Sequence, residues 1–254
     1  MRAIMVSVNY SDLLAITLPY NRQHFDEVYV VTSRADCPNV APITDANDAR
    51  FLATDLFYEN GASFNKWAAL EWGLDQIGRK GWLCIMDADV LWPKDGKDSL
   101  TRIMQRGFLL SPLRRMMIDL PAPFTRESIP EESKWKEYPI HRNVNEWAGY
   151  SQIFHAEDIH LGTAPWHQTD WKHAGGADSF FQAKWPLQFK LRPNFHCLHL
   201  GPAGVNWMGR ASRYLDGSEP EGAGDKCRAV QGIWAERHLR RRRGEDPFAP
   251  EKIS

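Results

Sequence analysis

Short apolar runs alternate with amphipathic segments along the first part of the chain. The run at residues 82–86 is continuous rather than alternating, which is typical of a central strand that is covered on both faces. The predicted strands are residues 3–8, 25–32, 49–56 and 82–86. Strands that alternate with helices favour a largely parallel sheet, whose carboxyl edge is the usual place for a ligand.

Two segments between these strands have helical spacing. Leucines predict a helix over residues 11–19, which its proline is expected to end. Apolar residues at three- and four-residue steps predict a second helix over residues 64–78, with Ser63 as its N-cap. Residues 33–39 are expected to form a polar turn after the second strand.

Periodicity weakens in the second half of the chain. Residues 111–150 are rich in proline, arginine and glutamate and are predicted to form a long loop. A helix is expected from Ala177, and residues 189–200 are expected to form one or two strands. Beyond Gly201 the pattern decays, and residues 237–243 form a basic run ahead of a polar tail.

Composition and charge narrow the class of protein. The chain has 254 residues, of which 43% are hydrophobic and 25% charged, so a single α/β domain with elaborations is expected. A net charge of -1 gives no global electrostatic reason to bind nucleic acid or an anionic membrane. The four scattered cysteines form no CxxC pair and favour buried thiols. No apolar window is long enough for a transmembrane segment and the N-terminus lacks a cleavage site, so a soluble, cytoplasmic protein is expected.

The strongest chemical signal is the triplet Asp87-Ala88-Asp89, directly after the strand at residues 82–86. Two carboxylates one residue apart at a strand end can both reach a hard divalent cation, Mn²⁺ or Mg²⁺, which in turn can bridge a diphosphate. Two anions at a buried edge are costly unless a cation compensates them. Such pairs also occur by chance in exposed turns, but the preceding strand favours a metal site with Asp87 and Asp89 as ligands.

At this point the sequence resembles the GT-A glycosyltransferases, especially family 2-like enzymes, in which a DxD motif ends a central strand. Asn65 and Lys66, which open the preceding helix, are similar to the polar groups that face the nucleotide in that family. The resemblance covers residues 1–95 in order and then two shorter motifs. It implies a Rossmann-like α/β fold, with a mostly parallel central sheet flanked by helices and a small acceptor-side elaboration.

The resemblance also implies an organisation of the chain. Residues 1–210 would form the glycosyltransferase domain, with a nucleotide-binding part at 1–95 and an acceptor-side part at 96–210. Residues 211–254 would be a C-terminal extension that carries the basic run.

The first of the shorter motifs is the glycine pair that precedes Asp178. It is similar to the glycine-rich turn before the acceptor-side carboxylate of inverting GT-A enzymes. The resemblance implies that Asp178 is the general base that deprotonates the acceptor hydroxyl, and that Gly176 contacts the substrate. Alternatively, Asp178 simply caps the following helix, and one residue can do both.

The other short motif surrounds His199. A strand here places Cys197 and His199 on the same face. Many GT-A enzymes supply a late histidine to the metal, and the resemblance implies that His199 is this ligand, in a site that suits Mn²⁺ better than Mg²⁺. The alternative is a core or surface histidine. The stretch from His199 to Trp207 is also similar to the histidine–glycine–tryptophan ending of retaining family 8 enzymes, so inversion and retention of configuration both stay open.

Nucleotide contacts are implied at the ends of the first two strands, at Val8, Asn9, Tyr10, Thr32 and Asp36. Asn9 would bond a uracil edge, Tyr10 would stack on the base and Asp36 would take the ribose hydroxyls. Thr32 and the two residues after it stand where the family has an acidic pair, which leaves the base open, with a UDP-sugar favoured. No GxGxxG or Walker-type loop is present, which argues against dinucleotide oxidoreduction and NTP hydrolysis.

Aromatic and basic residues supply the remaining candidates. Trp147 and Gln152 are predicted to bind the sugar or the acceptor, although a tryptophan is more often a packing residue. Lys66 or Arg210 is a candidate to neutralise the diphosphate, or else forms a surface ion pair. The run at 237–243 is either a solvated face or an anchor for an anionic partner such as DNA, a phosphoglycan or lipid headgroups.

The sequence therefore predicts a metal-dependent glycosyltransferase that moves a sugar from a nucleotide-sugar to an acceptor hydroxyl, with inversion favoured. The acceptor stays open among a glycan, a lipid carrier, a protein and a modified DNA base. One alternative is a nucleotidyltransferase that makes a nucleotide-sugar, which would normally have a glycine-rich basic loop after the first strand. Another is a non-catalytic module that binds carbohydrate or nucleic acid.

Overall fold

The computed structural model describes residues 1–141, 147 and 149–248, and a seven-stranded sheet lies at its centre. In sheet order the strands are β3 (Arg50–Ala53), β2 (Glu27–Thr32), β1 (Arg2–Val6), β4 (Trp82–Asp87), β8 (Ser151–His155), β6 (Leu109–Leu110) and β9 (Lys190–Leu191). The first four run parallel, β8 is antiparallel to both β4 and β6, and β6 is parallel to β9. The mostly parallel α/β sheet predicted from the sequence is confirmed.

A second, three-stranded sheet continues from the end of β4. Its order is β5 (Val90–Leu91), β10 (His196–Leu200) and β7 (Leu113–Met117). The central strand β10 is antiparallel to β5 and parallel to β7. Because β5 follows β4 after only two residues, this small sheet stands at the carboxyl edge of the parallel strands.

Helices flank the central sheet. They are α1 (Ser11–Asn21), α2 (Cys37–Ala46), α3 (Lys66–Ile77), α4 (Gly96–Thr101), α5 (Ala177–Ala183) and α6 (Ala223–Arg242). Short 3-10 turns occupy Arg22–His24, Arg34–Asp36, Leu56–Gly61, Arg126–Ser128, Glu132–Glu137 and Leu187–Phe189. No helix in the described part of the chain combines the length and apolar character that crossing a bilayer requires.

The core covers both faces of the parallel strands. On β1, Ile4 packs into the apolar cluster that contains α3, and Met5 packs into the cluster on the opposite face. On β4, Ile85 and Met86 divide between the same two clusters. Burial on both faces explains why these strands read as continuous apolar runs.

Two predictions around the early helices are wrong in part. Helix α1 continues through Pro19 to Asn21, since its leucines are buried against the core and their packing outweighs one lost backbone hydrogen bond. Part of the turn predicted at 33–39 is instead the start of α2, whose Pro38 lies in the first turn. A proline is well suited to that position because the first amides of a helix have no partner inside it.

The start of α3 also differs from the prediction. The helix begins at Lys66, and its N-cap is Asn65 rather than Ser63. The Asn65 side chain accepts a hydrogen bond from the amide of Ala68 at 3.1 Å. The amide of Ser63 instead donates to the carbonyl of Lys172 at 2.9 Å.

The loop predicted for residues 111–150 is wrong in part, because β7 lies within it. The two consecutive arginines of this strand, Arg114 and Arg115, hide its apolar pattern. Their stems are half-buried, and Arg115 donates to the carbonyl of Tyr138 at 2.9 Å. A strand of this kind is recognised by its pairing with β10 and not by its composition.

The C-terminal extension is also more ordered than its sequence pattern indicates. The 20-residue helix α6 buries only Val230 and Arg237, so it has almost no apolar periodicity to detect. Most of the basic run at 237–243 forms the last turns of this helix. Cations at a helix C-terminus interact favourably with the helix dipole. This interaction is one structural reason for basic residues at this end of α6.

Candidate active site

The DxD turn stands at the carboxyl edge of the parallel sheet. Asp87 is the last residue of β4 and lies in register with Val6, the last residue of β1. Ala88 and Asp89 then form the turn that leads into β5. The position predicted for this motif, directly after a central strand, is confirmed.

Two buried polar side chains of α1 hold this turn from behind. Thr17 donates from Oγ1 to the carbonyl of Ala88 at 2.6 Å. Asn21 donates to the carbonyl of Val90 at 2.6 Å and accepts from the amide of Trp92 at 2.9 Å. Sequence reasoning missed both residues, although two polar side chains one turn apart on the apolar face of a helix are a usable signal.

Strand β10 brings His199 to Asp89. The amide of Leu200 donates to the carbonyl of Asp89 at 2.8 Å, which fixes the two backbones together. The Nε2 atom of His199 then lies 3.6 Å from Oδ1 of Asp89. Nδ1 of His199 lies 3.1 Å from the carbonyl oxygen of Gly201. Because a carbonyl only accepts, Nδ1 carries the proton and Nε2 presents its lone pair to the carboxylate.

The Asp89–His199 pair is electron-rich and buried. Asp89 is 8% exposed, and its Oδ1 has no hydrogen-bond partner. Burial raises the pKa of Asp89, the His199 imidazole acts in the opposite direction, and Asp87 adds to the rise. Burial lowers the pKa of His199, while Asp89 opposes that change. Two lone pairs that face each other in a buried place fit a divalent cation, which both could bind.

Asp87 has a different partner from this pair. Its carboxylate forms an ion pair with Lys66 at the start of α3. Within residues 1–141, 147 and 149–248, no group of three histidine, cysteine, aspartate or glutamate side chains is arranged to hold a metal ion. Of the three predicted ligands, the structure brings together Asp89 and His199 and leaves Asp87 paired with a lysine.

These residues border a cleft of about 400 Å³. Most of the predicted site residues lie on its wall. They are Val8, Tyr10, Lys66, Asp87, Ala88, Asp89, Gly176, Asp178 and His199. The sequence therefore located one shared site from segments that are far apart in the chain.

The other predicted nucleotide residues, Asn9, Thr32, Asp36 and Asn65, are not among those that line the cleft. Asp36 is buried and accepts from the amide of the exposed Asn9 at 2.7 Å and from the side chain of Asn39 at 2.8 Å, which ties the ends of β1 and β2 to each other. Thr32 is buried with its hydroxyl unpartnered, and Asn65 is the α3 cap, whose amide also donates to the carbonyl of Thr169.

Trp147 and Gln152 are also core residues in the structure. The indole of Trp147 donates to the carbonyl of Leu191 at 3.2 Å, and the Arg192 guanidinium covers its ring at 4.1 Å. Gln152 is fully buried and donates to the carbonyl of Trp147 at 2.6 Å. Both side chains support the backbone near Asp178 rather than line the cleft.

Asp178 projects from the first turn of α5 into the cleft. Its carboxylate accepts from the amide of Gly149 at 3.0 Å and from the amide of Ser179 at 2.9 Å. The N-cap position belongs to Gly176, so Asp178 is not the cap that the alternative interpretation required. A Cβ on Gly149 would lie 3.0 Å from Cβ of Asp178, so the close approach depends on a glycine.

The glycine pair before α5 is enclosed by aromatic rings. A Cβ on Gly175 would lie 2.3 Å from the ring of Trp207. Gly176 has φ +117°, where a side chain is strained, and a Cβ there would also meet Trp171 and Arg237. The turn therefore requires both glycines, one for contact with a ring and one for its backbone conformation.

Helix α6 also lines the cleft, although the sequence did not place it there. It contributes Trp234, Arg237 and Arg241, which recur at helical spacing and so share one face. Arg237 donates to the carbonyl of Gly175 at 2.8 Å and lies 4.7 Å from the centre of the Trp207 ring. One face of the basic run thus belongs to the cleft and is not simply a solvated face, while an anionic partner for this run stays a prediction.

Arg210 is a buried residue whose contacts are structural. It is 1% exposed and forms two hydrogen bonds to the carboxylate of Asp12, at 3.1 and 3.0 Å. Its guanidinium lies 4.4 Å from the centre of the Tyr10 ring. It orients Tyr10 and is not among the cleft residues, which disfavours a direct role in neutralising a diphosphate.

Comparison with known proteins finds similarity in fold and none in sequence. No family model matches the chain, and no curated protein matches it. A mycobacterial protein of solved structure aligns over 99% of this chain and 76% of its own, with 14% identity and a TM-score of 0.51. Mannosyl-3-phosphoglycerate synthase from Rubrobacter xylanophilus aligns over 95% of this chain and 74% of its own, with 12% identity and a TM-score of 0.50. Similarity at this level shows the fold, and it agrees with the predicted GT-A-like architecture.

Proposed function

We propose that this protein is a glycosyltransferase that moves a sugar from a nucleoside-diphosphate sugar to an acceptor hydroxyl. The observation that carries the proposal is the pair of lone pairs on Asp89 and His199, buried 3.6 Å apart at the carboxyl edge of the sheet. Such a pair is unfavourable by itself and becomes favourable around a cation. The fold shared with a mannosyl-phosphoglycerate synthase agrees with sugar transfer.

Asp89 and His199 are the proposed ligands of a Mn²⁺ or Mg²⁺ ion. When bound, the ion would supply positive charge to the donor diphosphate and offset the charge of the leaving group. The carbonyl of Gly201 fixes the tautomer of His199, so that Nε2 stays available as a ligand. Asp87, whose carboxylate is paired with Lys66, is proposed as a further ligand.

Asp178 is the proposed general base. Two backbone amides hold its carboxylate in one orientation on the cleft wall, and lone pairs remain to accept the proton of an acceptor hydroxyl. In this assignment the hydroxyl attacks the anomeric carbon as the sugar–phosphate bond breaks, the proton passes to Asp178, and configuration inverts. Gly176 would let the acceptor approach closely beside Asp178.

The nucleoside is proposed to lie against Val8 and Tyr10, with a uridine nucleotide favoured. Asn9, Thr32, Asp36 and Asn65 would act by positioning the ends of β1, β2 and α3 and by offering backbone groups. Trp147 and Gln152 would act by supporting the strand beside Asp178. We further propose that residues 1–95 bind the nucleotide and residues 96–210 the acceptor.

The two rival functions make different predictions. A nucleotidyltransferase usually has a glycine-rich loop between its first strand and helix, whereas here α1 begins at Ser11, immediately after Tyr10. It would release pyrophosphate from a nucleoside triphosphate, which a sugar transferase does not. A binding module would retain its ligand when Asp89 or Asp178 is replaced.

The first test is calorimetric titration of UDP, GDP, CDP and ADP, with Mn²⁺ and with EDTA. We expect one nucleotide to bind tightly with Mn²⁺ only, and this binding to be lost in Asp89→Asn. Asp98→Asn is the matched control, because Asp98 is exposed on α4 and away from the cleft. If no nucleotide binds under either condition, the proposal fails.

A second variant separates binding from catalysis. Asp178→Asn keeps the shape of the side chain and removes its basicity, so nucleotide binding should persist. Hydrolysis or transfer of the sugar should fall by about 10²- to 10⁴-fold, the usual contribution of a general base. An unchanged rate would remove Asp178 from the mechanism and favour retention of configuration.

A further inference from the structure

Arg114 is a half-buried arginine on the cleft wall. Its guanidinium lies 4.4 Å from the centre of the Tyr150 ring, which restricts its orientation. Its Nε is buried without a hydrogen-bond partner. In the described part of the chain, its side chain also has no ion pair and no hydrogen-bond acceptor.

In contrast to Arg114, several other buried or half-buried arginines each have a hydrogen-bond acceptor for the side chain. Arg115 donates to the carbonyl of Tyr138, Arg192 to that of Ser111 and Arg237 to that of Gly175. Arg210 binds the carboxylate of Asp12. Arg115 and Arg192 share an unpartnered Nε, but their terminal nitrogens are used. Arg114 is the member of this set that lines the cleft and whose side chain has no hydrogen-bond acceptor among the described residues.

The strand register places Arg114 relative to the proposed cation. Arg114 on β7 pairs with Cys197 on β10, and His199 lies two residues further on the same face. Since the sheet order is β5, β10, β7, His199 stands between Asp89 and the strand that carries Arg114. Tyr10 follows β1, on the other side of β4. A donor with its nucleoside at Tyr10 and its diphosphate at Asp89 and His199 would direct its sugar toward Arg114.

We propose that Arg114 binds a second anionic group, a phosphate or a carboxylate, carried by the transferred sugar or by the acceptor. This inference rests on the proposed function and assigns the charge of its substrate. A guanidinium presents two parallel N–H groups, the geometry that suits a bidentate contact to either anion. An uncharged sugar and acceptor would leave this half-buried cation without a partner in the complex.

The test uses probe pairs that differ by one anionic group, measured by calorimetry with Mg²⁺. UDP-glucose and UDP-glucuronate place the difference on the donor sugar. Glucose and glucose 6-phosphate, added to protein saturated with UDP, place it on the acceptor. Each pair is measured on the wild type, Arg114→Gln and Arg114→Lys. The control is Arg102→Gln, which removes an exposed arginine that has no partner among the described residues.

We expect the wild type to bind one charged probe about 10- to 100-fold more tightly than its neutral partner, the range of a hydrogen bond between charged groups. Arg114→Gln should abolish the preference, Arg114→Lys should keep part of it, and the control should keep all of it. The affinity for UDP should change less than about threefold in Arg114→Gln, since the diphosphate is held elsewhere. The pair that shows the preference identifies the source of the anion.

Two results would overturn the inference and leave the proposed function intact. One is tight, Mg²⁺-dependent binding of UDP by a wild type that shows no preference in either pair. The other is a loss of UDP affinity in Arg114→Gln as large as the loss for the charged probe, which would assign Arg114 to the diphosphate. The donor probes carry whichever nucleoside diphosphate binds in the first titration; if none binds with Mg²⁺ or Mn²⁺, the proposed function fails, and the inference fails with it.

Discussion

Asp89→Asn is expected to make the protein more stable in the absence of divalent ions, even though it removes a proposed ligand. In the wild type, Oδ1 of Asp89 and Nε2 of His199 face each other at 3.6 Å, and both are hydrogen-bond acceptors. An asparagine amide turned toward the imidazole would donate to Nε2 and would remove a buried charge. The change converts a repulsive contact into a hydrogen bond without altering the volume of the side chain.

The size of the effect follows from the burial of this pair. A buried polar atom without a partner costs about 1–3 kcal/mol, and Oδ1 of Asp89 is such an atom. Part of this cost remains in the variant, because the oxygen of the asparagine amide also needs a hydrogen-bond donor. We therefore expect a gain of about 1–2 kcal/mol in the free energy of unfolding. For a chain of 254 residues this corresponds to a rise in Tm of about 2–8 °C.

Urea unfolding in EDTA and in Mn²⁺ measures both halves of the prediction. In EDTA the variant should unfold at higher urea than the wild type. At about one hundred times its dissociation constant, Mn²⁺ should stabilise the wild type by about 2.7 kcal/mol and the variant hardly at all, so the order of stability reverses. Asp98→Asn should follow the wild type in both conditions. A variant that is less stable in EDTA, or one that gains as much from Mn²⁺ as the wild type, would refute the reasoning.

Three further predictions concern the scaffold. Asn21→Leu leaves two backbone groups directly after the DxD turn unpaired and should lower the free energy of unfolding by about 2–5 kcal/mol in urea titrations; a loss below 1 kcal/mol would contradict this role of Asn21. Gly175→Ala should cost about 1–3 kcal/mol, because its Cβ meets the ring of Trp207, whereas Gly232→Ala in open space on α6 should be neutral or stabilising. Burial, followed by the charge of Arg237, lowers the pKa of His173 from 6.5 to about 4. The unfolded chain therefore binds more protons between these values, and wild-type stability should fall as pH is lowered from 6.5 to 4, by about 3 kcal/mol more than in His173→Gln.

The parallel half of the fold could be predicted because each of its elements has a pattern within one continuous stretch of the sequence. Strands covered on both faces are continuous apolar runs, and the helix between residues 64 and 78 has a complete apolar stripe. The apolar run at residues 82–86 leads directly into the DxD motif. Predicting this strand therefore also placed Asp89 at the edge of the sheet. Tertiary packing was invisible to this reasoning, which is why Pro19 appeared to end a helix that it does not end.

The part of the cleft formed by β7 and α6 was harder to predict because its contacts are distant in sequence. Strand β7 carries two adjacent arginines, and only its pairing with β10 shows that it is a strand. Helix α6 reaches the cleft through Trp234, Arg237 and Arg241, with almost no apolar stripe. Conversely, Trp147 and Gln152 were chosen for their chemical type, and type does not reveal that both are buried in the core.

Helix α1 joins two parts of the cleft that have separate tasks. It begins next to Tyr10 on the cleft wall, and through Thr17 and Asn21 it holds the backbone of the DxD turn. A short helix is stiff, so a shift of a few tenths of an ångström at its start reaches the turn almost unchanged. In the proposed function, nucleotide and cation would therefore be coupled through this helix as well as by their mutual charge. Thermodynamic reciprocity would then require that each ligand change the affinity of the other by the same factor.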